Sequence, residues 1–128
     1  MIAHRKNPAT DRPTLFVLLG ATGDLARRLV VPALFELHRS GGLPRHFEVL
    51  GLGRDELRVQ VLSERLKMGC EEFARSGRPT DEEWLEFSKC LHYQQANLAE
   101  PSAYADVAVL VGEISREFPE PPQCVYYL

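Results

Sequence analysis

The residues best suited to chemistry gather at Gly20-Ala21-Thr22-Gly23-Asp24-Leu25-Ala26-Arg27-Arg28, directly after the apolar run Thr14-Leu15-Phe16-Val17-Leu18-Leu19. Gly20-x-x-Gly23-x-x-Ala26 has the spacing of a phosphate turn. The first glycine permits a tight turn out of a strand, and the second lets a pyrophosphate approach the backbone. The small Ala26 stands where helix and strand must pack closely. Free amides at the helix start, together with the positive end of its dipole, then favour a phosphate. A strand-to-helix turn with no ligand has the same outline, but the strand context favours binding.

Arg54 stands 31 residues past Gly23, at the end of a second apolar run, Phe47-Glu48-Val49-Leu50-Gly51-Leu52-Gly53. A carboxylate at that strand end marks NAD through the ribose hydroxyl, and an arginine marks the 2′-phosphate of NADP. Arg54 therefore favours NADP. Its neighbours Asp55 and Glu56 keep two alternatives open: NAD itself, or a solvated arginine paired with those acids. Asp24 is suited to capping the helix start through its side chain. Arg27 and Arg28 are either solvated or supply positive charge to an anionic ligand.

Positioning such a site requires a strand, a turn and a helix, and the rest of the pattern supplies them. Thr14–Leu19 is apolar on both faces, as expected of a strand inside a parallel sheet covered by helices. The helical pattern that follows is interrupted at Pro32. It predicts a short turn over 24–28 and then a second segment with Pro32 near its start, stopping at Gly41. After the strand at 47–53, Val59, Leu62, Leu66, Cys70 and Phe73 form one face of a helix ending near Gly77. Thr80-Asp81-Glu82-Glu83 is a capping box opening a helix through Trp84, Leu85 and Phe87. Leu91-His92-Tyr93-Gln94 is a third strand. Tyr104, Val107, Val111, Ile114 and Phe118 mark a further helix with Pro101 near its start, and Cys124–Leu128 a fourth strand. The order of elements predicts an α/β fold, a Rossmann-type doubly wound parallel sheet. An apolar strand at the close leaves that sheet looking incomplete at the C-terminus. The expected organisation is a flexible tail over 1–13 and one partial dinucleotide-binding domain over 14–128.

Composition bounds the rest. With 128 residues, 45% hydrophobic and 26% charged, the chain is one ordinary domain. Its net charge is −3, with 7 basic and 4 acidic residues over 1–50 but 8 and 14 over 51–128. Nucleic acid is a poor partner for such a chain, and an anion site belongs in the first half. Cys70, Cys90 and Cys124 form no CxxC pair and the four histidines show no metal-ligand spacing, so no metal is expected. The apolar runs are too short for a membrane span, no secretory signal is visible, and a cytoplasmic protein with reduced thiols is the expectation.

The GATGDLA string with Arg27-Arg28, then Pro32-Ala33-Leu34, Gly41-Gly42-Leu43-Pro44 and Val49-Leu50-Gly51-Leu52-Gly53-Arg54, resembles the opening of the glucose-6-phosphate 1-dehydrogenase family. The resemblance covers residues 14–128. It implies that Gly20, Ala21, Thr22, Gly23, Asp24 and Leu25 line the pyrophosphate of NADP and that Arg54 holds the 2′-phosphate. It further implies a whole enzyme in the pentose phosphate pathway. There a His base takes the C1 hydroxyl proton of glucose 6-phosphate while hydride passes to the nicotinamide, giving 6-phosphogluconolactone. Two departures stand out. Leu29 occupies the place of a third basic residue, and the family's catalytic motif, with its His, Asp and phosphate-binding Lys residues, lies beyond the fourth strand. No catalytic residue is thus expected within these 128, glucose 6-phosphate would bind only with residues outside them, and an oligomer is left open. Another NAD(P)-dependent oxidoreductase sharing the GATG turn is one competing reading. A noncatalytic nucleotide-binding or regulatory module is the other.

Overall fold

The computed structural model describes residues 11–127. Most of the expected tail, residues 1–10, lies outside them. The described part is bonded into the fold: the Arg45 amide donates to Asp11 Oδ1 at 2.8 Å and the Gln123 amide to the Pro13 carbonyl at 2.9 Å.

β1 (Thr14–Leu19) is central because it is apolar on both faces and so needs cover on both. It pairs in parallel with β2 (Phe47–Gly53) on one side and β4 (Gln123–Tyr127) on the other, and β3 (Leu91–Gln95) pairs outside β2, giving the order β3-β2-β1-β4. Alternate side chains then divide between two cores. Leu18, Val49 and Leu91 join one with α1 (Val31–Ser40), α2 (Val59–Phe73) and α3 (Asp81–Ser88). Leu15, Val17, Leu50 and Leu52 join the other with Val107 and Ile114 of α4 (Pro101–Arg116). Helices on both faces of a parallel sheet make this the doubly wound Rossmann-type fold expected. Phe35, Trp84 and Phe87 anchor α3 to α1, with ring centroids 5.3–5.6 Å apart. Such pairs contribute about 0.5–1.5 kcal/mol each beyond their burial.

The expected second segment with Pro32 near its start is α1, which opens at Val31 and holds Pro32 in its first turn, but no gap separates it from the turn before it. Residues 24–40 run helical without interruption, through a π-turn at Ala26–Val30 closed by the Val31 amide on the Ala26 carbonyl. The wider loop loosens the hydrogen-bond ladder where Pro32 has no N–H to give, so the chain bulges instead of stopping. Gly41 ends α1 with φ 74°, and it and Gly42 donate to the His38 and Leu37 carbonyls. α2 stops at Phe73, short of Gly77, because the following backbone is claimed by α1. The Ser76 amide donates to Glu36 Oε2 at 3.0 Å, and Arg39 donates to the Gly77 carbonyl at 2.8 Å.

Candidate functional site

The turn after β1 is seated on β2. Gly20 adopts φ 73°, the left-handed region that side-chain-bearing residues avoid, and turns the chain sharply off the strand. The Ala21 amide then donates to the Leu52 carbonyl at 2.9 Å, and the Gly23 amide to the Gly20 carbonyl at 2.9 Å. The amides of Thr22, Asp24 and Leu25 find no acceptor among the described residues, and they stand at the start of the helix. Three open donors at a helix N-terminus suit an anion.

The seat is made of missing side chains. A Cβ on Gly51 would stand 2.8 Å from the Ala21 Cβ, and one on Gly53 would stand 2.8 Å from Tyr93 Oη and 3.0 Å from Thr22 Oγ1. These two glycines, which the sequence places within the strand at 47–53, let the turn rest on the face of β2. Their i, i+2 spacing was the available signal, since it empties one face of a strand.

Beside the seat a cleft of about 360 Å³ brings together Gly20, Thr22 and Gly23 from the turn with Arg54 and Asp55 after β2. The far wall of the cleft is Ala96, Leu98 and Ala99, which follow β3. Four of the expected site residues therefore share one cavity. Ala21 is buried under the turn and its amide is used within the fold. Asp24 and Leu25 are exposed at the helix start and do not line this cleft.

Charge is distributed unevenly. Asp24 does not cap the helix; it accepts from Arg27 Nη2 at 3.0 Å and Arg28 Nη1 at 3.1 Å, because both guanidiniums fold back over the helix start. Those two hydrogen bonds, Arg27 first, hold its carboxyl below the usual carboxylate range. Both guanidiniums also lie over the Phe73 ring, at 5.5 and 5.4 Å. Neither is a free cation. Arg54 is exposed and forms no ion pair among the described residues, and Asp55 faces Arg65 instead, at 3.8 Å. The pairing of Arg54 with its acidic neighbours, open from the sequence, is not seen.

A second cavity of about 410 Å³ lies between the turn and α2, lined by Ala21, Arg27, Leu66, Met68 and Arg78 among others. Leu29 is exposed on a separate groove with Pro32, Leu37 and Phe73. Among the described residues no group of three or more His, Cys, Asp or Glu is arranged to hold a metal ion, and no helix is long and apolar enough to cross a membrane.

Residues 17–128 match a family model described as glucose-6-phosphate dehydrogenase, NAD binding domain. The glucose-6-phosphate 1-dehydrogenase of Treponema pallidum is 30% identical over 119 residues, which is 93% of this chain and 23% of that protein. That of Chlamydia muridarum is 26% identical over 116 residues, 91% of this chain and 23% of that protein. A solved glucose-6-phosphate dehydrogenase in complex with its substrate glucose-6-phosphate superposes with a TM-score of 0.81 at 27% identity, covering 93% of this chain and 24% of that one. The chain spans about a quarter of the length of these relatives.

Proposed function

The chain belongs to the NAD-binding domain family of glucose-6-phosphate dehydrogenase, and from that premise we propose that residues 14–128 form the domain that holds NADP in an enzyme oxidising glucose 6-phosphate. The family supports a nicotinamide cofactor; the preference for NADP is our reading. The observation that carries it is the cleft in which Gly20, Thr22 and Gly23 meet Arg54, which forms no ion pair among the described residues. The open amide of Thr22 on the cleft, with those of Asp24 and Leu25 at the adjoining helix start, would receive the pyrophosphate, which Gly23, having no side chain, lets close to the backbone. Arg54 would receive the 2′-phosphate through paired, charge-assisted hydrogen bonds. Asp55 is drawn off toward Arg65, which lessens the repulsion it would exert there.

When bound, the nicotinamide supplies a hydride acceptor. The residues of this chain bind and orient the dinucleotide, and we place no proton-transferring group among them. Abstraction of the C1 hydroxyl proton, and the grip on the sugar phosphate, belong in this reading to a protein of the relatives' length, acting in the cytoplasm. Ala21, Asp24 and Leu25 shape the turn rather than touch the ligand with their side chains.

The test is Arg54→Ala. Hydrogen bonds to charged groups contribute roughly 1.5–3 kcal/mol, so NADP binding should weaken about 10- to 150-fold with NAD nearly unchanged. Calorimetric titration with both dinucleotides decides it. Equal losses for the two would assign Arg54 to the fold or to the shared phosphates.

A further inference from the structure

The backbone that carries Arg54 is held from β3. Three consecutive carbonyls, beginning with the last residue of β2, each accept one hydrogen bond from that neighbouring strand and its end. The Gly53 carbonyl takes the Ala96 amide at 2.7 Å, the Arg54 carbonyl takes Gln95 Nε2 at 2.9 Å, and the Asp55 carbonyl takes the Tyr93 hydroxyl at 2.6 Å. The first continues the parallel ladder, in which Gly53 stands opposite Gln95. The other two are made by side chains, at the point where the strands end and backbone pairing has run out. Gly53 leaves room for this: the Tyr93 hydroxyl occupies the space that a Cβ would fill, beside Thr22. Burial, with the nearby Asp55 charge, pushes the Tyr93 hydroxyl above its ordinary range, so it stays protonated and can donate. The Asp55 carboxylate is tied separately to Arg65 of α2.

The consequence is a fixed base beneath a free side chain. A loop residue with a long, exposed side chain ordinarily loses backbone and side-chain freedom when it grips a ligand, and a pinned backbone removes part of that cost beforehand. It also fixes where the guanidinium can reach. The phosphate turn meets both dinucleotides alike, so anything that acts only through Arg54 acts on the 2′-phosphate.

We propose that Tyr93 and Gln95 are positioning residues that set the preference between NADP and NAD, by pinning the carbonyls of Asp55 and Arg54 and so holding Arg54 at the ribose end of the cleft. The proposal rests on the reading that Arg54 receives the 2′-phosphate. Neither residue touches the ligand; both act through the loop.

The experiment uses the protein that carries this chain, in the forms Tyr93→Phe, Gln95→Ala, Arg54→Ala and the two double variants with Arg54→Ala, each titrated calorimetrically with NADP and with NAD. Tyr93→Phe removes one hydroxyl and keeps the ring, so it retains the packing of β3. Each of Tyr93→Phe and Gln95→Ala should raise the NADP Kd about two- to tenfold, the loss of one ordinary hydrogen bond, and leave the NAD Kd unchanged. In the Arg54→Ala background both effects should vanish. Equal losses for NAD and NADP, losses that persist in full without Arg54, or no loss at all would each overturn the proposal. Should Arg54→Ala itself leave NADP binding intact, the reading beneath it fails. Should Arg54 matter while Tyr93 and Gln95 do not, only the positioning role fails.

Discussion

Gly69 lies in the middle of α2, where glycine costs about 1 kcal/mol relative to alanine, and it is buried against the π-turn. A Cβ there would collide with the Arg27 carbonyl oxygen and stand 2.7 Å from the Arg27 Cγ. Backbone cannot yield as a side-chain tip can, so Gly69→Ala should destabilise the fold by about 1–3 kcal/mol despite the better helix former. Urea denaturation measures this, and an unchanged or higher midpoint would show that α2 can slide away from the turn. Glycines such as this one were beyond sequence reading because their need depends on what packs opposite. Gly20 and Gly23 were legible because their reason is local: one turn, one φ, one spacing. Asp24 was half legible. Its type suits a cap, but the two arginines three and four residues on compete for the same oxygens, and they win. Arg54 was legible as a cation at a strand end, whereas its freedom from Asp55 required knowing where Arg65 falls.

Among the described elements, α3 is the shortest of the four α-helices and the most dependent on its ends. Its capping box is complete, with the Glu83 amide donating to Thr80 Oγ1 at 3.1 Å and the Thr80 amide to Glu83 Oε1 at 2.9 Å. Thr80→Ala should cost about 1 kcal/mol and lower Tm by about 4 °C, read in a thermal melt; no shift would mean that the aromatic contacts alone hold the helix. Glu83 also meets Arg39, whose guanidinium lies 4.5 Å over the Phe35 ring and bonds Glu36 at 3.1 Å. In Glu83 the hydrogen bond from the Thr80 amide leads in holding the carboxyl below its ordinary 4.5. In Glu36 burial pushes the carboxyl upward, but hydrogen bonds from Ser76 and Arg39 outweigh it and the net shift is again below 4.5. Both carboxyls bind protons more readily unfolded than folded. Their contribution is therefore complete above about pH 4.5 and is lost as pH falls below it through their folded values. The urea midpoint should drop over that range, less steeply in Glu36→Gln, and an identical slope in that variant would show that Glu36 contributes nothing to it. The capping box was plain in the sequence, since four consecutive residues contain it. The Arg39 network was not, because its hydrogen bonds join residues up to 44 positions apart. The π-turn escaped for another reason: Pro32 shows that the ladder must give way, but not whether it gives way by stopping or by bulging.

At the scale of the whole molecule the two sides of the sheet are unequal. Among the described residues three α-helices cover one face, whereas α4 alone covers the other, and at the edge Val125, Tyr126 and Tyr127 of β4 remain 37–56% exposed. An open edge with exposed apolar residues invites pairing with another chain. The 128-residue chain should accordingly self-associate, with a sedimentation coefficient that rises over a micromolar concentration series and rises less in Val125→Lys. A concentration-independent monomer would show that the edge is protected. The alternation of strands and helices made this architecture legible, and strand order was not, because no local pattern says that the last strand lies beside the first. That placement has a consequence in time. β1 and β2 leave the ribosome close together, but β4 emerges roughly 70 residues after β2, about 4–14 s later at roughly 5–20 residues per second. Through that interval β1, an inner strand of the four-stranded sheet, is an outer one, with the carbonyls and amides that later meet Gln123–Tyr127 still open. The strand that leads into the Gly20–Gly23 turn is thus open to mispairing during synthesis, and a nascent-chain chaperone that shields residues 14–19 would act on the proposed cofactor site before that site exists.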